Sequence, residues 1–351
     1  MGSGKDSVAI LVGISALAQL GCLVRLVCTW VMSADANQMS SVLYANFLGC
    51  FAIGAVNAMK DYLDEKQLTP LFYGINAGFC GALTTFSTWM SEVARWLVWW
   101  PNPTMQAVGG DWWGLRTLSA TSAVLVEVSV SCLGFQLGRS LLWDFHGFQP
   151  KSFNAQALPI SAGKSERVIR HMSTCHYTHG EGADEFEDPD IAPKQRLSFT
   201  FVLCMCFAIP MVLALLGKST ELLFIMIFAP LGALLRYYLG VWYNGLSKRF
   251  CWGTFAANFI ACFVFAALTI VNATHGCFKG HRWIAGLMKG IGFGFCGSLS
   301  TMSSFVAQLH EMDLFSAPGY FLASCCACLA LITGILGGYL ALGGVEQHVC
   351  A

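Results

Sequence analysis

Long apolar stretches, separated by short polar or glycine-rich intervals, set the pattern of this 351-residue chain. A helix needs about 20 apolar residues to cross a bilayer. Nine stretches offer themselves as spans: 8–32, 41–60, 71–100, 116–143, 197–216, 222–246, 251–271, 283–311 and 318–343. The first is long for a secretory leader, is crossed by Arg25 and lacks a convincing cleavage site, so it is read as a span. One extended polar stretch, 144–196, carries Lys151, Lys164, Arg167 and Arg170 and then the acidic run GEGADEFEDPD. It reads as an exposed linker.

Composition agrees. The chain is 56% hydrophobic and 11% charged, against about 25% charged residues in soluble proteins, and its mean hydropathy is +0.59. These values describe an all-α membrane protein. Net charge is zero and no basic run interleaves with aromatics, so nothing suggests a nucleic-acid partner. Most of the 16 cysteines lie inside apolar stretches and read as small buried hydrophobes, without a disulfide framework or zinc spacing. His171, Cys175, His176 and His179 are metal-ligand types, but in so polar and unpatterned a segment they read as a solvated loop. The N-terminal GSGKDS lacks the upstream glycine and preceding strand of a phosphate-binding loop. Lys5, Lys60, Lys66, Arg139 and the linker cations share one face of the membrane, opposite Arg116, which puts the N-terminus and linker in the cytoplasm.

The chain repeats itself. GFCGALTTFSTW (78–89) returns as GFCGSLSTMSSF (294–305), with seven of twelve letters identical. AQLGCLVRLV (18–27) answers PLGALLRYYL (230–239), placing Arg25 opposite Arg236; YANFLGCFAIG (44–54) answers FAANFIACFVF (255–265), placing Asn46 opposite Asn258. The nine spans therefore divide into a four-helix unit (1–143), the polar linker (144–196), a single linking span (197–216) and a second four-helix unit (217–351). One intervening span turns the second unit over in the bilayer, giving an inverted repeat with a site near the midplane.

In hydrocarbon every backbone polar group must be satisfied, so a helix breaks only where it is buried in protein or lines an aqueous path. Gly81 and Thr84, with Gly297 and Ser300, sit where such breaks would fall in spans three and eight. Carbonyls freed by two antiparallel breaks would suit a hard cation. A glycine kink for close helix packing is the other reading of the same letters.

These phrases, with GALLRYYLG (232–240), resemble the Fluc (CrcB) fluoride channels, and the two-unit chain resembles their eukaryotic form, the FEX fluoride export proteins. The resemblance covers both four-helix units. It implies a monomer acting as an internal pseudo-dimer in the plasma membrane, passing fluoride and holding a structural sodium ion on the carbonyls of Gly81, Thr84, Gly297 and Ser300. It further implies an anion path lined by Asn46, Thr85, Phe86 and Trp89 in unit one, and by Asn258, Thr301, Met302 and Phe305 in unit two. Tyr320 and Ser324 match the polar positions on its fourth helix, and aligning Gly134 with Gly334 puts Ala120 and Val124 at their equivalents in unit one. Glu92 matches an acid near the mouth, which Gln308 replaces in unit two.

The residue types suit a dehydrated anion. The amides of Asn46 and Asn258 and the hydroxyls of Thr85, Thr88, Thr301 and Ser304 can replace water, and ring edges carry positive partial charge. Arg25 and Arg236 would draw anions into a vestibule, or serve as structural partners. Trp89 and Met302 depart from the family's phenylalanines. If aromatics pair across units, Phe86 and Phe305 form one complete path and Trp89 and Met302 a degenerate one. Pairing within units would leave neither complete.

No catalytic pair recurs, so no enzyme is expected. A passive channel is the first reading, and a proton-coupled anion transporter, with Glu127 or Glu92 carrying the proton, is the alternative. Glu127 has no role implied by the resemblance.

Overall fold

A computed structural model describes residues 3–34, 40–66, 68–98, 113–146, 219–274 and 282–342, with isolated positions 208 and 212. The expected linker, its His and Cys residues, and nearly all of the linking span 197–216 lie outside the described residues.

All regular structure among the described residues is helical. Helix α1 (Ser3–Ala34) is followed by α2 (Leu43–Ala58) and the short α3 (Lys60–Glu65). Then comes a segmented rod: α4 (Thr69–Tyr73), a π-helical stretch π1 (Gly74–Cys80), the turn α5 (Gly81–Leu83) and, after a break, α6 (Ser87–Leu97). Helix α7 (Trp113–His146) closes this set. The second set repeats it with α8 (Thr220–Tyr243) and α9 (Trp252–Thr274). Its rod is α10 (Arg282–Lys289), π2 (Gly290–Cys296), α11 (Gly297–Leu299) and α12 (Ser303–Glu311), and α13 (Ser316–Ala341) is last. Among the described residues, six stretches are long and apolar enough to cross a membrane; Leu43–Ala58 is apolar but shorter.

The distribution of side chains is that of a protein solvated by lipid. On α7 the buried positions include Glu127 and Ser131, while Leu118, Leu125, Leu133, Leu137 and Leu141 point outward. Polar groups that need partners are inside, and the hydrocarbon faces out.

Glycines set the closest approaches. A methyl group at Gly21 of α1 would strike the Phe79 carbonyl of π1, and one at Gly232 of α8 the equivalent Phe295 carbonyl of π2. Gly54 and Gly138 bring α2 and α7 together in the same way, on the carbonyls of Phe135 and Phe51. Small residues that let backbones meet are how membrane helices associate without a hydrophobic drive. Helices α1 and α8 pack on each other and on the two rods, so both breaks lie at the centre of the molecule.

Candidate functional site: two broken helices joined at their breaks

The chain leaves the helix at Thr84 and Ser300, where ψ turns to 154° and 152°. Gly81 and Gly297, expected at the breaks, lie a turn earlier in helical conformation.

A helix that starts in the protein interior has orphan N–H groups to satisfy. Here each break serves the other set. The Ser300 hydroxyl accepts the N–H groups of Phe86 and Ser87 at 3.2 and 3.1 Å, at the start of α6. The Thr84 hydroxyl accepts those of Met302 and Ser303 at 3.2 and 3.1 Å, at the start of α12. These are N-caps supplied in trans, and they lock the two rods together at their positive helix ends.

Each asparagine pins its own break. Thr85 N–H donates to Asn46 Oδ1 at 2.9 Å, and Thr301 N–H to Asn258 Oδ1 at 2.8 Å. Asn46 Nδ2 returns a bond to the Thr85 carbonyl at 3.2 Å, as Asn258 Nδ2 does to Thr301 at 3.4 Å. Beyond the pins, hydroxyls run up each helix: Thr85 Oγ1 is 3.3 Å from Thr88 Oγ1, and Thr301 Oγ1 is 3.4 Å from Ser304 Oγ. Farther along α12, Gln308 Nε2 donates to Thr254 Oγ1 at 2.7 Å and Gln308 Oε1 accepts from the Tyr320 hydroxyl at 3.0 Å. At the corresponding place on α6, Glu92 accepts from Ser40 Oγ at 2.8 Å and from the Ser41 hydroxyl.

The aromatics are fully buried. Phe86 meets Phe305 edge-on with centroids 5.3 Å apart, and meets Trp89 at the same 5.3 Å. Phe305 also touches Tyr320 at 5.1 Å. Phe86 thus stands between the two partners that the sequence offered it. Met302 is buried, and the Trp89 Nε1 has no hydrogen-bond partner.

The arginines are placed against the rods. Arg25 donates to the carbonyls of Gly297 and Phe293, and Arg236 to that of Ala77, with its guanidinium where a Gly81 side chain would be. Arg236 also lines a cavity of about 90 Å³ with Lys60, Asn57, Asn76, Ser304 and Gln308, room for several waters. For a sodium ion the donor set fits only in part. The breaks take the Thr84 and Ser300 carbonyls off the helical ladder, as such an ion requires, whereas Gly297 is taken by Arg25 and Gly81 lies under Arg236.

Side-chain contacts correct one register. Cys50 faces Ser131 and its counterpart Cys262 faces Cys328, which sets Glu127, not Val124, opposite Ser324, and Ala123 opposite Tyr320. Glu127, to which the resemblance gave no role and which the transporter alternative made a proton carrier, accepts from Asn46 Nδ2 at 2.6 Å. Thr254, which lines the cavity with Gln308, was passed over, although it lies one helical turn before Asn258.

The family model described as CrcB-like protein, Camphor Resistance (CrcB), matches residues 12–138 and 223–339. Fluoride export protein 1 of Candida albicans is 27% identical over 339 residues, covering 91% of this chain and 77% of that protein. Fluoride export protein 1 of Saccharomyces cerevisiae is 24% identical over 333 residues, covering 88% and 87%. The fluoride-specific ion channel FluC of Mannheimia succiniciproducens is 37% identical over 83 residues, 24% of this chain and 61% of that protein. No solved structure matches the chain.

Proposed function

The chain belongs to the CrcB family, and from that premise we propose that it is a passive, fluoride-selective channel exporting fluoride across the plasma membrane. The observation that carries this is a track of neutral polar groups, the buried Asn258 and Thr301 leading to Ser304 at the cavity, with the edge-on rings of Phe86 and Phe305. Helices α9 and α13 of the second set pack against α6 of the first, which supports a path that Phe86 shares with Asn258, Tyr320 and Ser324. Fluoride, small and strongly hydrated, would exchange water for these amide and hydroxyl groups. The ring edges would complete its shell and offer a cation nothing. The cavity under Lys60 and Arg236 would be the mouth from which Ser304 and Gln308 receive the ion.

The reciprocal caps support two units related by an axis in the membrane plane, each break meeting its copy. In this reading 1–143 and 217–351 are the units, 144–196 is a cytoplasmic linker, and 197–216 crosses the membrane as the ninth span and turns the second unit over. The whole is a monomer with the symmetry of a dimer. The path around Asn46, Trp89 and Met302 is the degenerate one, leaving one conducting path. A sodium ion, kept at Thr84 and Ser300, would add fixed positive charge beside the breaks.

Proton-coupled fluoride transport is the second reading, favoured by the buried Glu127 on Asn46. Fluoride flux that follows voltage with no pH gradient rules it out. For the main reading, the chain is expressed in cells stripped of their own fluoride exporters. Growth should return in fluoride medium with chloride tolerance unchanged, and no rescue in cells that display the folded protein would count against fluoride export.

A further inference from the structure

The two half-paths differ most at their asparagines. Both N–H groups of Asn46 are committed inside the protein, one to the Thr85 carbonyl at 3.2 Å and the other to Glu127 Oε1 at 2.6 Å. Asn258 donates to the Thr301 carbonyl at 3.4 Å, and its other N–H has no partner among the described residues. Ser324, which occupies the register position of Glu127, keeps an unpartnered hydroxyl at 1% exposure. One half thus holds two donors ready for an anion. The other has its donor filled by an oxygen of its own chain.

Glu127 is itself 1% exposed and its second oxygen, Oε2, has no hydrogen-bond partner. The groups around it are uncharged or acidic: Ser40, whose hydroxyl donates to Glu92 Oε2 at 2.8 Å, Glu92 beyond it, and the Cys50 thiol. Helix α12, which follows Met302, packs against α2 and α7. A carboxyl oxygen and a fluoride ion ask for the same thing, a hydrogen bond from a small dry donor.

We propose that Glu127 is a tethered acceptor that occupies the anion position of the Asn46 path and closes that path to fluoride. This rests on the fluoride-channel reading above, and it assigns the closure to a specific side chain in addition to the altered rings. Charged or protonated, Oε1 accepts the Asn46 bond, so closure does not depend on a titration. In the unit holding Ser324 the equivalent position donates instead, and the path stays open.

The test begins from Phe305→Ile, which removes the conducting path, in purified full-length protein in liposomes. Restoring the rings of the second path with Trp89→Phe and Met302→Phe should leave fluoride efflux at the level of that parent. Adding Glu127→Ser should raise it about tenfold with no chloride efflux. Recovery by the ring changes alone overturns the proposal, as does a folded Glu127→Ser chain that stays at the parent level. Glu127→Ser alone guards against loss of fold in the multiple variant: it should keep full fluoride efflux, and loss of efflux in that folded variant overturns a role confined to the second path. If the unchanged chain moves no fluoride, the channel reading falls and this inference with it. If the unchanged chain conducts and the restored path does not, the inference falls alone.

Discussion

Phe86 is the residue on which the pairing of the aromatics turns, because its ring lies 5.3 Å from both Phe305 and Trp89. Helix α6, which Phe86 precedes, packs against α9 and α13, and Phe305 touches Tyr320, which supports the proposed place of Phe86 on the Asn258 side. Edge contacts of this kind contribute on the order of 1 kcal/mol each. Because each removes a ring edge proposed to face the ion, Phe86→Ile and Phe305→Ile should each lower fluoride flux several-fold or more, while Trp89→Ile and Met302→Ile leave flux and fluoride resistance largely intact. The four variants are compared by liposome efflux at matched protein content. Damage from Trp89→Ile equal to that from Phe86→Ile would contradict a single conducting path. At Gly81 the decisive neighbour is Arg236, whose guanidinium holds the place of a side chain and is fixed on the Ala77 carbonyl. Gly81→Val should abolish flux by displacing it, and a Gly81→Val channel that still conducts would show that the contact is dispensable.

At the scale of the element, the two broken helices hold each other by their caps. Thr84→Ser keeps the accepting hydroxyl and should be tolerated; Thr84→Val strands the N–H groups of Met302 and Ser303 and should cost about 1–2 kcal/mol, read as a lower melting temperature with flux lost. Equal melting temperatures for Ser and Val would show that the cap in trans contributes little. The contact of Gly21 with the Phe79 carbonyl has no flexible end to yield, so Gly21→Ala should destabilise by about 1–3 kcal/mol. The twice-occurring phrase made the breaks legible, since Gly, Ser and Thr repeated inside apolar flanks mark either a broken helix or a close helix contact. Their exact turn was not, because Thr84 and Ser300 break the helix by bonding partners more than 200 residues away. The π-helical stretches were also invisible, as their wider turns leave no compositional mark. The register of α7 against α13 failed for a physical reason: Gly134 packs on the Phe47 carbonyl, whereas Gly334 meets nothing within 4 Å. Two glycines that look equivalent in the sequence do different work.

For the whole molecule, the membrane class was legible in composition alone, and the duplication and polar centre in three aligned phrases. The asparagines were found by the same alignment, but the pins they make on Thr85 and Thr301 required the fold. So did the difference between a free donor at Asn258 and a filled one at Asn46. The proposed channel would need no nucleotide, because a membrane potential acts on an anion with about 2.3 kcal/mol per 100 mV. The most direct measurement of the central claim is anion efflux from liposomes holding the purified full-length chain, started by a potassium ionophore with pH equal on both sides. The account predicts rapid fluoride release with chloride retained; chloride release at a comparable rate, or fluoride release only when a pH gradient is imposed, would contradict it.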